Sequence, residues 1–183
     1  MLTLEAITKE DLPQITELYS HYLTAGQSLS DATYAAWESG GCLGTKAVDD
    51  GKIVGFFSLR PGFELTYPHP ELEEEIKRIV AGQRLYTVDG MLVLRPYRGS
   101  GLAHRLIAET LPALRKLADL VLVEIWIYPD GRSPGKAPQE TLGEIIYQKK
   151  VPMFYKNLAR YRMRCPICGD VCTCGAYIDL AKI

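Results

Sequence analysis

The sequence predicts an α/β fold with a mixed central sheet and flanking helices. Three observations carry this. Strand-like and helix-like segments interleave along the chain instead of separating into blocks. Asp49-Asp50-Gly51-Lys52 separates two apolar segments and reads as a hairpin turn, so part of the sheet is antiparallel. Residues 120–128 are almost wholly apolar, the pattern of a strand covered on both faces.

The elements follow in order. Residues 2–7 read as a short strand. Thr8, with Glu10, Asp11 and Pro13 after it, marks a helix start, and Leu12, Ile15, Leu18, Tyr19 and Tyr22 recur at helical spacing up to about Leu23. A second short helix is expected over 30–38, before Gly40-Gly41. The predicted hairpin strands are 43–48 and 53–59. Residues 60–84 form a long connection broken by Pro61, Gly62, Pro68 and Pro70, with an amphipathic helix embedded at 71–80. Such connections often carry function. Residues 85–94 read as a strand and 99–117 as a helix with the apolar stripe Leu102, Leu106, Ile107, Leu111 and Leu114. After the strand at 120–128 and a Pro/Gly-rich loop at 129–138, helices are expected at 139–147 and 153–158. Two final strands, 161–164 and 176–181, flank a cysteine-rich hairpin at 165–175.

At 183 residues the chain suits one domain, 1–183, with one core. Apolar residues make up 47%, too many for a disordered chain. The formal net charge of -1 gives no global attraction to nucleic acid or an anionic membrane, and no nucleic-acid partner is expected. Charge is nevertheless uneven. Glu71, Glu73, Glu74 and Glu75 form an acidic run, and Lys149, Lys150, Lys156, Arg160, Arg162 and Arg164 make the late chain basic. The start carries Glu5, Glu10 and Asp11 rather than a basic and apolar leader, and no apolar run approaches the roughly 20 residues that span a bilayer. The expectation is a cytoplasmic protein whose five cysteines are thiols or metal ligands, not disulfides.

The informative segment is Leu92-Val93-Leu94-Arg95-Pro96-Tyr97-Arg98-Gly99-Ser100-Gly101-Leu102-Ala103. A strand ends, glycines follow and a long helix begins. The first amides of such a helix lack internal partners and its dipole is positive there, so the turn can cradle an anion. Gly99 and Gly101 leave the backbone open to a phosphate, and Arg98 adds a charge beside it. A P-loop would need Gly-Lys-Ser/Thr, which is absent, and a dinucleotide fingerprint would need Gly or Ala where His104 stands. A tight structural turn is the alternative for any isolated Gly-x-Gly.

Arg98-Gly99-Ser100-Gly101-Leu102-Ala103 resembles the Arg/Gln-x-x-Gly-x-Gly/Ala motif of the GNAT superfamily of N-acetyltransferases. Phe154-Tyr155-Lys156-Asn157-Leu158 resembles the Phe-Tyr segment late in many such chains, with Ala159 and Arg160 replacing the usual Gly-Phe. The resemblance implies acetyl-CoA as cosubstrate. Its pyrophosphate would lie on the amides of 98–103, and its pantetheine arm would pair with the backbone of Leu92, Val93 and Leu94. It also implies transfer of the acetyl group to an amine by direct attack, with Tyr155 as general acid. Tyr155 could instead simply pack near Met153, Phe154 and Leu158.

A base is needed too. Asp89, on the strand entering the cradle, and Glu124, within the apolar strand, are candidates, because burial raises a carboxyl pKa toward a useful range. An ion pair, a solvated strand end, or ordered water as the base are the competing readings. His104 reads as a surface or packing residue. Arg160, Arg162 and Arg164 would share one strand face, either solvated or against an acidic partner. The four glutamates of 71–75 either favour a cationic acceptor or form a solvated helix.

Cys165-Pro166-Ile167-Cys168-Gly169 has knuckle form, and Cys172-Thr173-Cys174-Gly175 follows it. Four thiolates can close a tetrahedral structural zinc site with no open position. Free thiols and redox chemistry remain the other readings, since Cys-x-Cys is tighter than the usual Cys-x2-Cys. Cys42 reads as a small apolar residue. The whole chain thus reads as an acetyl-CoA-dependent N-acetyltransferase whose amine acceptor is open among a small molecule, a protein N-terminus and a lysine. A catalytically silent CoA-binding regulator and a zinc-knuckle interaction module are the rivals.

Overall fold

The computed structural model describes residues 1–23, 31–65, 68–156, 164–169 and 171–183. Seven strands form one sheet: β1 (Thr3–Ala6), β2 (Leu43–Asp49), β3 (Lys52–Pro61), β4 (Leu85–Val93), β5 (Leu120–Ile127), β6 (Glu144–Val151) and β7 (Gly175–Lys182). The helices are α1 (Leu12–Tyr22), α2 (Asp31–Glu38), α3 (Pro70–Ile79), α4 (Leu102–Leu117) and α5 (Ala137–Thr141). The strand order is β1-β2-β3-β4-β5-β7-β6, and every neighbouring pair is antiparallel except β4 with β5.

Local chemistry explains most boundaries. The Thr8 amide donates to Asp11 Oδ2 at 2.8 Å, and Pro13 sits in the first turn of α1. Asp50 and Gly51 both have positive φ, at 50° and 73°, which a tight two-residue hairpin turn requires. Along β5 the residues alternate between two apolar layers. Val121, Val123 and Ile125 pack with the α4 stripe Leu102, Leu106, Ile107, Leu111 and Leu114. Leu120 and Leu122 face the opposite layer, with Leu72 and Ile76 of α3, Phe154, Tyr155 and the cysteines. A third cluster joins Leu12 and Ile15 of α1 and Trp37 of α2 to Phe56 and Leu92. Burial of each such large side chain contributes about 1.5–3 kcal/mol.

Three expectations are corrected. The helix expected at 139–147 is the short α5 followed by β6. Ile145 and Tyr147 alternate with exposed Glu144, Ile146 and Gln148, and the β-branched and aromatic content favours a ladder with β7. The helix expected at 153–158 is a turn over 152–156, because Pro152 lacks an amide hydrogen and Met153 takes φ 52°; Asn157 and Leu158 lie outside the described residues. The long helix starts at Leu102, not Gly99, since Gly99 and Gly101 adopt φ 76° and 74°. For the strand expected at 161–164, only Arg164 is described, and it lies outside any strand. Tyr161–Met163 of that expected strand, together with Arg160 and Arg162, lie outside the described residues.

Candidate acetyl-CoA and acceptor site

β4 and β5 share only three ladder pairs, Leu85↔Leu120, Tyr86↔Val121 and Thr87↔Leu122. Beyond them the strands part, and among the described residues no strand pairs with that edge of β4 from Val88 to Val93. Its other edge stays paired to β3, except for one irregularity. Ser58 opposes Gly90 and Leu59 opposes Val88, so Asp89 is an extra residue, a bulge that re-aims its side chain. The parting strands make a cleft walled on one side by this edge of β4, where Val93 O accepts from Arg98 and the Leu94 amide is already bonded to Val54 O. The side chain of Leu92 is buried in the core, so backbone is what this stretch presents.

At the end of that wall the chain turns through 95–101 into α4. A Cβ on Gly99 or Gly101 would meet no atom within 4 Å. Glycine is therefore demanded there by backbone conformation, and the space above the turn is open. The Arg105 amide is the first of α4 to reach back, to Gly101 O at 3.2 Å. The amides of Leu102, Ala103 and His104 precede it in the first turn, where helix amides have no intrahelical acceptor. Leu102 turns its side chain into the core, while Arg98, Ser100 and His104 are exposed. The Arg98 Nε donates to Val93 O at 2.8 Å and Ser100 Oγ to Tyr97 O at 2.7 Å, fixing the turn. His104 pairs with Glu140 at 2.8 Å on the surface, the bland role expected of it.

Tyr155 and Glu124 come together on the other side of the cleft. The Tyr155 hydroxyl donates to Glu124 Oε1 at 2.6 Å. The Tyr155 ring stacks on Trp126 of β5, with centroids 4.3 Å apart and planes at 21°. Phe154 meets Tyr155 edge-on and is itself stacked on His69. Asp89 lies on the opposite strand, its carboxyl 3.3 Å from Arg60 Nε and 10% exposed. Burial raises the Asp89 pKa, and Arg60 opposes the rise. The reading of Asp89 as part of an ion pair therefore holds, and a raised carboxyl is retained as well.

Sequence reasoning missed several neighbours. Tyr19 of α1 entered only as an apolar helix position, yet burial, followed by the charges of Asp89 and Glu124, pushes its hydroxyl up to about 12. Arg60 also pairs with Glu64, which belongs to the long connection. Cys42 is half-buried in the third cluster, and burial lifts its thiol to about 11. Trp126 had no signal beyond its place on an apolar strand. The acidic run of α3 is engaged elsewhere. Glu75 pairs with Lys149 of β6, Lys77 with Glu73 and Glu74, and Glu73 also accepts the His69 amide at 3.0 Å.

The cysteines converge. The sulfurs of Cys165, Cys168, Cys172 and Cys174 all lie within 4.8 Å of one another. Cys165 and Cys174 are 3.9 Å apart, and Cys168 and Cys174 are 3.5 Å apart. A tetrahedron with zinc–sulfur bonds of about 2.3 Å has edges of about 3.8 Å, so the spacing fits such a donor set. The amides of Ile167 and Cys168 donate to Cys165 Sγ at 3.4 and 3.2 Å, and the Cys174 amide to Cys172 Sγ at 3.4 Å. Amide donation of this kind stabilises thiolates. The Thr173 backbone holds the Cys168 thiol down to about 7, whereas burial raises Cys172 and Cys174. Among the described residues of the expected hairpin, Cys165 and Gly169 form a β-bridge, which brings the first two cysteines together.

The family model described as the acetyltransferase (GNAT) family matches residues 12–132, which span the cleft wall, the glycine turn and α4. Among solved structures, Arabidopsis thaliana NAA60 in complex with a bisubstrate analogue is similar at TM-score 0.68 and 15% identity, over 100% of this chain and 98% of that one. Drosophila melanogaster polyamine N-acetyltransferase gives 0.64 and 14%, over 100% of both chains. The Escherichia coli ribosomal-protein-S18-alanine N-acetyltransferase gives 0.60 and 16%, over 100% of this chain and 94% of that one. No curated protein matches in sequence. At these identities the structures speak for the fold, and the family match speaks for the class. The chain belongs to the acetyltransferase (GNAT) family, as an acetyl-CoA-dependent N-acetyltransferase.

Proposed function

We propose that the cleft between β4 and β5 binds acetyl-CoA and passes its acetyl group directly to an amine. The observation that carries the reading is the parted strand pair, with the open glycine turn at one end and the Tyr155–Glu124 pair across the gap. The pyrophosphate rests on the turn at 98–103 and the first amides of α4. The pantetheine arm takes the place of a strand along Leu92, Val93 and Leu94. The amine nitrogen attacks the thioester carbonyl, the carbon–sulfur bond breaks, and the sulfur leaves as thiol with a proton from Tyr155. On binding, the Tyr155 hydroxyl turns from Glu124 toward that sulfur. The proton shed by the amine goes to Glu124 or Asp89, directly or through water.

The acceptor is an amine of open identity. One chain of this fold forms N-acetylagmatine, and another is named for a ribosomal-protein alanine, so acceptor type does not follow from architecture. The four thiolates hold one structural zinc ion, a reading supported by sulfur spacing and the amide donors around them. No helix among the described residues is long and apolar enough to cross a membrane, and the cytoplasm is the proposed location.

Calorimetry with acetyl-CoA is the first test, and absence of binding overturns the reading in favour of an interaction module. A panel of spermidine, free-N-terminal peptides and lysine peptides, followed by CoA release, is the second. Tight binding with no release from any amine would leave a silent CoA-binding regulator.

A further inference from the structure

We propose that the four-cysteine knuckle positions Tyr155, so that metal occupancy sets the rate of acetyl transfer without altering acetyl-CoA binding. The inference rests on the readings of Tyr155 as general acid and of the thiolates as a metal site, and it joins two features that neither reading connects.

Tyr155 sits in the turn over 152–156, outside any helix or ladder. Its placement depends on contacts with other elements. Its backbone amide donates to Cys174 O at 3.3 Å, so one candidate metal ligand holds the main chain of the candidate acid. Its ring lies on Trp126, whose indole nitrogen is buried. Trp126 is also the ladder partner of Ala176, two residues after Cys174. Phe154, Tyr155, Cys165, Cys172 and Cys174 share one apolar cluster with Leu122 and Ile178. The knuckle therefore grips both neighbours of the phenol: its own backbone and the ring beneath it.

Beyond the burial of Cys165, Cys172 and Cys174 in that cluster, the knuckle has little to hold it. Ile167 and Val171 are 54% and 80% exposed, so its apolar side chains contribute little burial. In so small a loop, metal coordination supplies much of the local folding free energy. Without metal, Cys174 loses its fixed position, and the Tyr155 amide and the Trp126 ring lose theirs. The glycine turn lies in a different part of the fold, with Leu102 and the rest of the α4 stripe in the other apolar layer. Acetyl-CoA binding is thus insulated from the knuckle, and a split between kcat and KM is expected.

The test uses the full chain, zinc-loaded, stripped with a chelator, and reloaded with zinc or Co(II). Metal uptake is read by elemental analysis and by the absorption of Co(II) bound to thiolate. Kinetics use whichever amine of the panel is turned over, and a Trp37→Phe background leaves Trp126 as the only tryptophan whose emission is followed. Stripping should lower kcat on the order of 10²-fold, the scale of a 1 Å misplacement. The KM for acetyl-CoA should stay within about twofold, far less than the kcat loss. Trp126 emission should shift red, and reloading should restore kcat and emission at the same metal stoichiometry. In the Tyr155→Phe variant, kcat should no longer respond to metal, a signature that mere loss of stability would not produce.

Unchanged kcat in stripped protein that still binds acetyl-CoA overturns the proposal alone. Absence of any bound metal overturns it together with the zinc reading, and parent-level turnover of Tyr155→Phe overturns it together with the acid reading. Should stripping unfold the chain, zinc-loaded Trp126→Leu takes its place, and parent kcat in that variant overturns the proposal.

Discussion

Replacing Tyr155 by Phe removes one oxygen from a buried ring and leaves the stack on Trp126 in place. The lost contact is a 2.6 Å hydrogen bond to the Glu124 carboxyl, within the charge-assisted range for O–H···O⁻. Such a bond contributes about 1.5–3 kcal/mol to stability. For a chain of this length each kcal/mol moves Tm by about 2–4 °C, so a fall of roughly 3–12 °C is expected. The chemical loss is separate. Removal of a general acid lowers turnover by about 10²-fold or more, or about 2.7 kcal/mol of barrier. Acetyl-CoA affinity should not move, because the turn at 98–103 and the free edge of β4 remain intact. Thermal melting, calorimetry with acetyl-CoA, and CoA release under single-turnover conditions read the three quantities independently. A variant that melts lower yet turns over within threefold of the parent when chemistry limits the rate would refute the role of Tyr155 as acid.

Gly101→Glu should abolish acetyl-CoA binding in calorimetry, because it puts bulk, charge and a strained φ of 74° where the pyrophosphate is proposed to lie; a folded variant with parent affinity would move the cofactor elsewhere. Stripping metal with a chelator should lower thermal stability and loosen 164–175 and β7 in hydrogen exchange, and unchanged exchange there would make the cysteines a plain turn. Asp179 of β7 is wholly buried, accepts from Gln139 Nε2 at 2.6 Å, and has its pKa raised by burial. The folded state then holds its proton more tightly than the unfolded state. Stability present below about pH 4 is lost as pH rises through the raised value, and Asp179→Asn should flatten that slope in denaturant titrations. Replacing Glu71, Glu73, Glu74 and Glu75 by Gln should leave acceptor KM unchanged at low and moderate salt, because Lys77, Lys149 and the His69 amide already engage three of them. A salt-sensitive rise in KM would instead place these glutamates against a cationic acceptor.

Elements with strong local signals were legible in the sequence. The Asp50-Gly51 turn, the α4 stripe and the apolar β5 each encode their structure within a few residues, and the glycine turn is readable because conformation and chemistry coincide there. The chain from 139 onward was not. Ile145-Ile146-Tyr147 is too short for its period to separate helix from strand, and β6 exists because β7 offers it a ladder from some 30 residues away. The same limit applies to the site. Tyr155, Asp89 and Glu124 were named from motif and strand position, but the Tyr155–Glu124 bond and the approach of Tyr19, Arg60 and Glu64 are products of packing. The Asp89 bulge is likewise a property of the β3–β4 register and has no mark in the sequence.

The position of β7 has a consequence for how the chain is assembled. β5 and β6 succeed one another in sequence, yet the slot between them belongs to 175–182. Until those residues have left the ribosome, β5 presents an unsatisfied apolar edge, of the kind that recruits strands from other molecules. The nascent chain thus carries an open seam from the completion of β5 until β7 emerges, and closing it requires a contact between distant parts of the sequence, which is slow to form. Because the cysteine knuckle immediately precedes β7, a metal ion bound there as proposed would act as a clasp that delivers β7 to its place.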